Sequence, residues 1–75
     1  MKFVNYLNDR LKGMKRSEKA DLEAKICNLN EDDWDGLQAL FADYNFVGNG
    51  YTSEDTKKLV WDASFFVDSN LLLSS

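Results

Sequence analysis

The sequence predicts an all-α fold, a small single-domain bundle of about four short helices, on three observations. Apolar residues recur at three- and four-residue spacing in four successive stretches. No stretch alternates apolar and polar residues for long enough to make a strand. The 75 residues are 44% hydrophobic, with two Trp, three Tyr and five Phe, which is too aromatic for a chain that stays disordered. A domain of this length lies near the lower end of what folds alone, burying about 60% of its unfolded surface. The helices are expected near residues 2–15, 18–29, 31–44 and 53–68, within one domain spanning 1–75.

In the first helix, Phe3, Val4, Leu7, Leu11 and Met14 fall within one stripe about 100° wide, with Asn5, Asp9 and Lys12 opposite. Ser17 is the expected N-cap of the second, which carries Leu22, Ile26 and Leu29 on one face. Its far side holds the small residues Ala20, Ala24 and Cys27, which would admit a second helix at close range. Asn30 is the expected cap of the third helix. Glu31, Asp32 and Asp33 place negative charge in its first turn, and Leu29 and Trp34 occupy staple positions. Its core face is Trp34, Leu37, Leu40, Phe41 and Tyr44, and Gly36 within it costs about 1 kcal/mol against alanine. Gly48-Asn49-Gly50 supplies turn residues before the fourth helix. That helix starts at Thr52 or Ser53 and buries Leu59, Val60, Ala63, Phe66 and Val67, with a tail from Asn70 to Ser75 expected to fray.

The residues that are absent exclude several kinds of chemistry. There is no histidine, so no Ser-His-Asp or Cys-His unit and no His/Cys zinc site can form. The single cysteine, Cys27, cannot close a disulfide within the chain. Flanked by Ile26 and Leu29, it reads as a small buried apolar residue. Phe3-Val4 does not amount to the apolar core of a signal peptide, and Leu71-Leu72-Leu73 is far short of a membrane span. A cytoplasmic protein without membrane contact is therefore expected. Carboxylate pairs such as Asp32 with Asp35 lie on an expected solvent face, and no glycine-rich phosphate loop is present. No enzyme activity and no cofactor are expected.

Charge is divided unevenly along the chain. Residues 1–28 carry seven basic and four acidic side chains, net +3. Residues 29–75 carry two basic and nine acidic, net −7, within an overall −4. Asp32, Asp35 and Asp43, with Asp33 beside them, would line the third helix opposite its aromatic face and could present charge as a phosphate backbone does. An acidic face of this kind suits a protein partner with a basic or nucleic-acid-binding surface. The same acids are also ordinary solvated, helix-starting residues. On the fourth helix Trp61 and Phe65 sit away from the buried face. They form an exposed aromatic contact if the helix packs on one side only, and are covered if the helix is central or if Leu71 to Leu73 fold back. Self-association through that pair, as a homodimer, is a further possibility.

A helix-turn-helix drawn from Ala24 through Leu37 would push Glu31-Asp32-Asp33-Trp34-Asp35 into a groove walled by phosphate, which electrostatics forbids. Direct nucleic-acid binding is therefore not expected. The basic cluster Arg10, Lys12, Lys15, Arg16 and Lys19 lacks interleaved aromatics.

The stretch from about Phe41 to Val60 resembles a degenerate EF-hand. Phe41 and Tyr44 precede the loop as that family's aromatic pair does. Asn45, Val47, Asn49, Gly50, Tyr51, Thr52 and Ser53 fall at loop positions one, three, five, six, seven, eight and nine. In this register Val47 cannot ligate, and Thr56 replaces the bidentate glutamate. A second register from Asp43 keeps Asn45, Gly48 and Glu54 in place but puts Val47 at position five. What the resemblance implies is a calcium-responsive loop using Asp43, Asn45, Asn49, Tyr51 and Glu54. The expectation from size, charge and aromatics is instead a small acidic interaction module, an inhibitor or adaptor of a larger complex. Phages and mobile elements often encode small acidic domains of this type against host nucleic-acid machinery, an analogy of size and charge alone.

Overall fold

The computed structural model describes residues 2–73, and every regular element among them is helical. There are four α-helices, α1 (Phe3–Lys12), α2 (Arg16–Cys27), α3 (Trp34–Leu40) and α4 (Thr56–Leu73); short turns join the first three, and the longer connection 41–55 into α4 carries two single 3-10 turns at Val47–Asn49 and Ser53–Asp55. The all-α class follows directly. The longest helix, α4, packs against the other three. The molecule is a slab of 34 × 24 × 16 Å, hardly thicker than one helix and its covering layer.

α1 buries Phe3, Leu7 and Leu11, one residue per turn, while Val4 at the edge of the same stripe is exposed. α2 begins one residue before Ser17. Glu18 Oε1 accepts the backbone N–H of Lys15 (3.1 Å), so a glutamate three residues into the helix ties its start where a serine cap was expected. Only Leu22 and Ile26 of α2 are buried. Ala20, Ala24 and Cys27 are all exposed, so the small-residue stripe is not buried under a second helix, and Cys27 is not the buried apolar residue its neighbours suggested. Ile26 points inward because adjacent helix positions are turned about 100° from one another, and Leu29, beyond the helix end, packs against the core.

α3 is shorter at both ends than the expected 31–44. Asp33, not Asn30, caps it: the Gly36 N–H donates to Asp33 Oδ1 (2.9 Å), and Glu31-Asp32 form a turn closed by Asp33 N–H to the Asn30 carbonyl (3.1 Å). A Cβ at Gly36 would collide with the capping carboxylate, which accounts for a glycine inside a helix. At the other end Phe41 leaves helical geometry (φ −115°, ψ 56°). This break lets the chain turn so that Phe41, Tyr44 and Phe46 all enter the core. Replacing the cap, Asp33→Ala, should cost about 1 kcal/mol and lower Tm by about 5 °C, read by circular dichroism.

One end of the core is an aromatic cluster. Phe3 lies edge-on to Phe41 (centroids 5.2 Å apart) and against Phe46 (5.1 Å), while Tyr44 packs on Phe46 (4.8 Å) and Trp34 meets Phe46 at 5.6 Å. Arg10 covers the outer side of this cluster, its guanidinium 5.3 Å from the Phe41 ring centre and its Nη1 donating to Tyr6 Oη (3.3 Å). Phe46, in the segment read as a turn, is wholly buried. The connection after it is held by Gly50, whose φ of 89° places it in the left-handed region, and by Tyr51 N–H donating to the Phe46 carbonyl (2.9 Å).

α4 is entered through a reciprocal cap, with Thr52 Oγ1 accepting from Glu54 N–H (3.3 Å) and Asp55 Oδ2 accepting from Thr52 N–H (2.9 Å). It buries Leu59, Val60, Ala63 and Val67, with Phe66 partly covered. The helix does not stop near residue 68. It runs to Leu73, because Leu71 still packs on the core and keeps the last turn ordered, so the expected frayed tail is helical through that residue and its last two positions lie outside the described residues. Among the described residues no helix is long and apolar enough to cross a membrane.

Candidate interaction surface

α2 and α4 run antiparallel, so that Cys27 meets Ser64 (Sγ to Oγ 4.0 Å) one end from where Glu23 meets Asp68. Because the slab is thin, α4 is covered on one side only. Trp61 and Phe65, four residues apart, stand 62% and 75% exposed on the other side, and Leu72 extends their stripe three turns along the helix. Leu71 to Leu73 continue the helix and do not fold back over the pair.

Between α2 and α4 lies an open groove of about 470 Å³ with Ile26 and Val60 at its base and Trp61 and Phe65 on one wall. Its ends are acidic. At one end Glu31 holds Trp61 in place: the indole Nε1–H donates to Glu31 Oε1 (3.2 Å), while Glu31 Oε2 lies 3.9 Å from Lys57 Nζ. An exposed tryptophan with its N–H already bonded presents only the apolar ring to a newcomer, and its rotamer is fixed before contact.

At the other end one carboxylate oxygen of Glu23 is buried without a donor and faces the Asp68 carboxylate. Two carboxylates share a hydrogen bond only when one carries a proton. Burial first, then the Asp68 charge and that hydrogen bond, raise the Glu23 carboxyl above the ordinary glutamate value. A carboxyl raised in the folded state binds its proton more tightly there than in the unfolded chain. Its charged form therefore destabilises the fold at neutral pH, and the cost is relieved as pH falls through the raised value. Glu23→Gln should raise stability at neutral pH by a few tenths of a kcal/mol, the scale of partly exposed charge pairs, with the gain vanishing in acid. Paired thermal melts of wild type and variant across pH measure the difference.

The acidic residues of the third-helix region are not one continuous row. Asp35 is in the first turn of α3, but Asp32 lies in the turn before it and Asp43 in the turn after it, because α3 spans only Trp34–Leu40. All three are exposed, whereas Asp33 is half-buried and committed to its cap. Glu31 connects this stretch to the aromatic surface, since it touches Trp61 and precedes Asp32 directly.

In the loop that resembles an EF-hand, Asn45 Oδ1 accepts the Gly48 N–H (2.9 Å) and Asn49 Nδ2 donates to the Asn45 carbonyl (2.7 Å). The Tyr51 hydroxyl accepts the Phe3 N–H (3.1 Å), and Asp43 and Glu54 are exposed. Among the described residues no three His, Cys, Asp or Glu side chains are gathered as metal ligands would be.

Glu23, Glu31, Cys27 and Asp68 were not distinguishable as surface partners of Trp61 and Phe65 in the sequence. Glu23, Cys27 and Asp68 come together through the antiparallel register of α2 on α4, Glu31 joins them from the turn after α2 by its bond to Trp61, and no local signal carries that arrangement. No known protein family, curated protein or solved structure matches this chain.

Proposed function

We propose that this protein is a protein–protein interaction module, acting in the cytoplasm as an inhibitor or adaptor of a larger protein, with the α2–α4 face as its contact. The observation that carries this reading is the exposure of Trp61 and Phe65 side by side along an open apolar groove. Paired exposed aromatics beside an apolar depression are the composition of an interface centre, and a fixed tryptophan ring is the commonest kind of energetic anchor. The net −7 of residues 29–75 supports a partner with a basic surface, such as a nucleic-acid-handling protein. In such a contact the exposed Asp32, Asp35 and Asp43 steer the approach, Asp32 directly following Glu31 in the chain, and the aromatics hold the complex.

The test is capture from a nuclease-treated lysate of the source cell with wild type, with Phe65→Glu, and with Asp32, Asp35 and Asp43 all changed to lysine, at low and high salt. One stoichiometric protein held by wild type at both salts and lost with Phe65→Glu is the expected result, the triple variant weakening capture mainly at low salt. A protein kept by Phe65→Glu but lost with the triple variant would place the contact on the acidic stretch alone. No specific protein with any form would overturn the module reading.

A further inference from the structure

The α2–α4 groove has a shape and a charge pattern that specify more than an apolar contact. Its base and one wall are hydrocarbon, from Ile26, Val60, Trp61 and Phe65, while carboxylates mark both ends. Glu31 sits beside Trp61, and Asp68, paired with Glu23, follows seven residues along α4. Seven residues of helix span about 10 Å. A helix laid along the groove repeats its own face at the same seven-residue interval, so two of its side chains on one face reach the two acidic ends together while those at three and four positions between them enter the apolar floor.

We propose that the groove is the docking site for an amphipathic helix of another protein that carries Lys or Arg at positions i and i+7 and large apolar residues at i+3 and i+4. This rests on the α2–α4 face being the contact surface, and adds what kind of segment it takes. The stronger cation site is the Glu23 and Asp68 end, because at the other end Glu31 already engages Trp61 and Lys57. Glu23 and Asp68 both line that end of the groove, so a guanidinium or ammonium placed there meets two carboxylates at once. A second copy of this chain fits poorly as the occupant. Face-to-face pairing would bring two sets of Glu23, Glu31 and Asp68 together on a protein of net −4. Lys57, which reaches the Glu31 end of the groove, is already against that carboxylate.

The experiment pans a displayed library of random helical peptides about 14 residues long, roughly 20 Å of helix, on the full-length chain, with counter-selection on Phe65→Glu. Selected peptides are then titrated against wild type, Phe65→Glu and the Glu23→Gln/Asp68→Asn double variant, with the Trp61 indole N–H and Ile26 methyl signals followed by NMR. Circular dichroism verifies that each variant is folded. The proposal expects enriched sequences with basic residues seven apart around an apolar pair. They should move the Trp61 and Ile26 signals and lose about tenfold in affinity on the double variant, with binding weakened by salt. Enriched peptides lacking basic residues, or binding the double variant as tightly as wild type, would overturn the charge pattern while leaving the aromatic face as the contact. Peptides that bind Phe65→Glu equally well would remove the face itself. A concentration-dependent dimer, seen by sedimentation and abolished by Phe65→Glu, would make a second copy the occupant and overturn the proposal.

Discussion

Phe41→Ala is expected to abolish cooperative folding of this domain near room temperature. The ring is wholly buried, edge-on to Phe3 at 5.2 Å and covered from outside by Arg10 at 5.3 Å, so nothing nearby is free to fill the space it leaves. Deleting a buried phenylalanine costs about 3–5 kcal/mol through lost transfer energy and the remaining cavity. The loss of an edge-to-face pair adds about 1 kcal/mol. A hydrophobic core in a chain of this size rarely supplies more than about 3–5 kcal/mol of net stability, so the single change consumes it. Urea denaturation followed by circular dichroism should show a sharp transition for wild type and none for the variant. Phe65→Ala, which removes an equal ring from the exposed side of α4, should leave the transition within about 0.5 kcal/mol of wild type. A variant Phe41→Ala that melts like wild type would mean that the aromatic end is not what holds the domain together.

Trp61→Ala should have the opposite profile, with little change in stability and a large loss of partner affinity. The side chain is 62% exposed and its indole N–H is bonded only to the exposed Glu31, so the fold loses little. A complex centred on this ring loses about 2 kcal/mol or more, at least about thirtyfold in Kd. Glu31→Gln should give a smaller loss, because the ring survives but its pre-set rotamer is held by a weaker acceptor. Calorimetric titration of the captured partner with the three proteins measures both effects. Equal affinity for wild type and Trp61→Ala would remove the aromatic anchor from the contact.

The fold class and most buried faces were legible because they depend on local spacing. Phe3, Leu7 and Leu11 of α1, and Leu59, Val60, Ala63 and Val67 of α4, occupy the core as their periodicity requires. The side of α4 carrying Trp61 and Phe65 was equally legible, but its exposure was not, since that depends on how many neighbours cover the helix. The boundaries of α3 were misplaced because Asn30 and Asp33 are near-equal caps and tertiary packing chooses between them. The helical spacing of Phe41 and Tyr44 also hid a break that brings in Phe46. Cys27 was assigned to the interior from its sequence neighbours, although on a helix adjacent residues point about 100° apart. The groove itself was invisible, being made by the register of α2 on α4.

Cys27 gives that groove a chemical address. It is the chain's single thiol, it is exposed, and it stands on the α2 wall opposite Phe65 and Trp61. Alkylating reagents therefore have one cysteine to find, and it lies within the span of whatever segment the groove receives. A bulky adduct would occlude the site without altering any residue, and a photoreactive one would tie the occupant covalently in place. A bound segment would in turn shield the thiol and slow its modification. The rate of that modification thus reports occupancy of the groove in the unaltered protein.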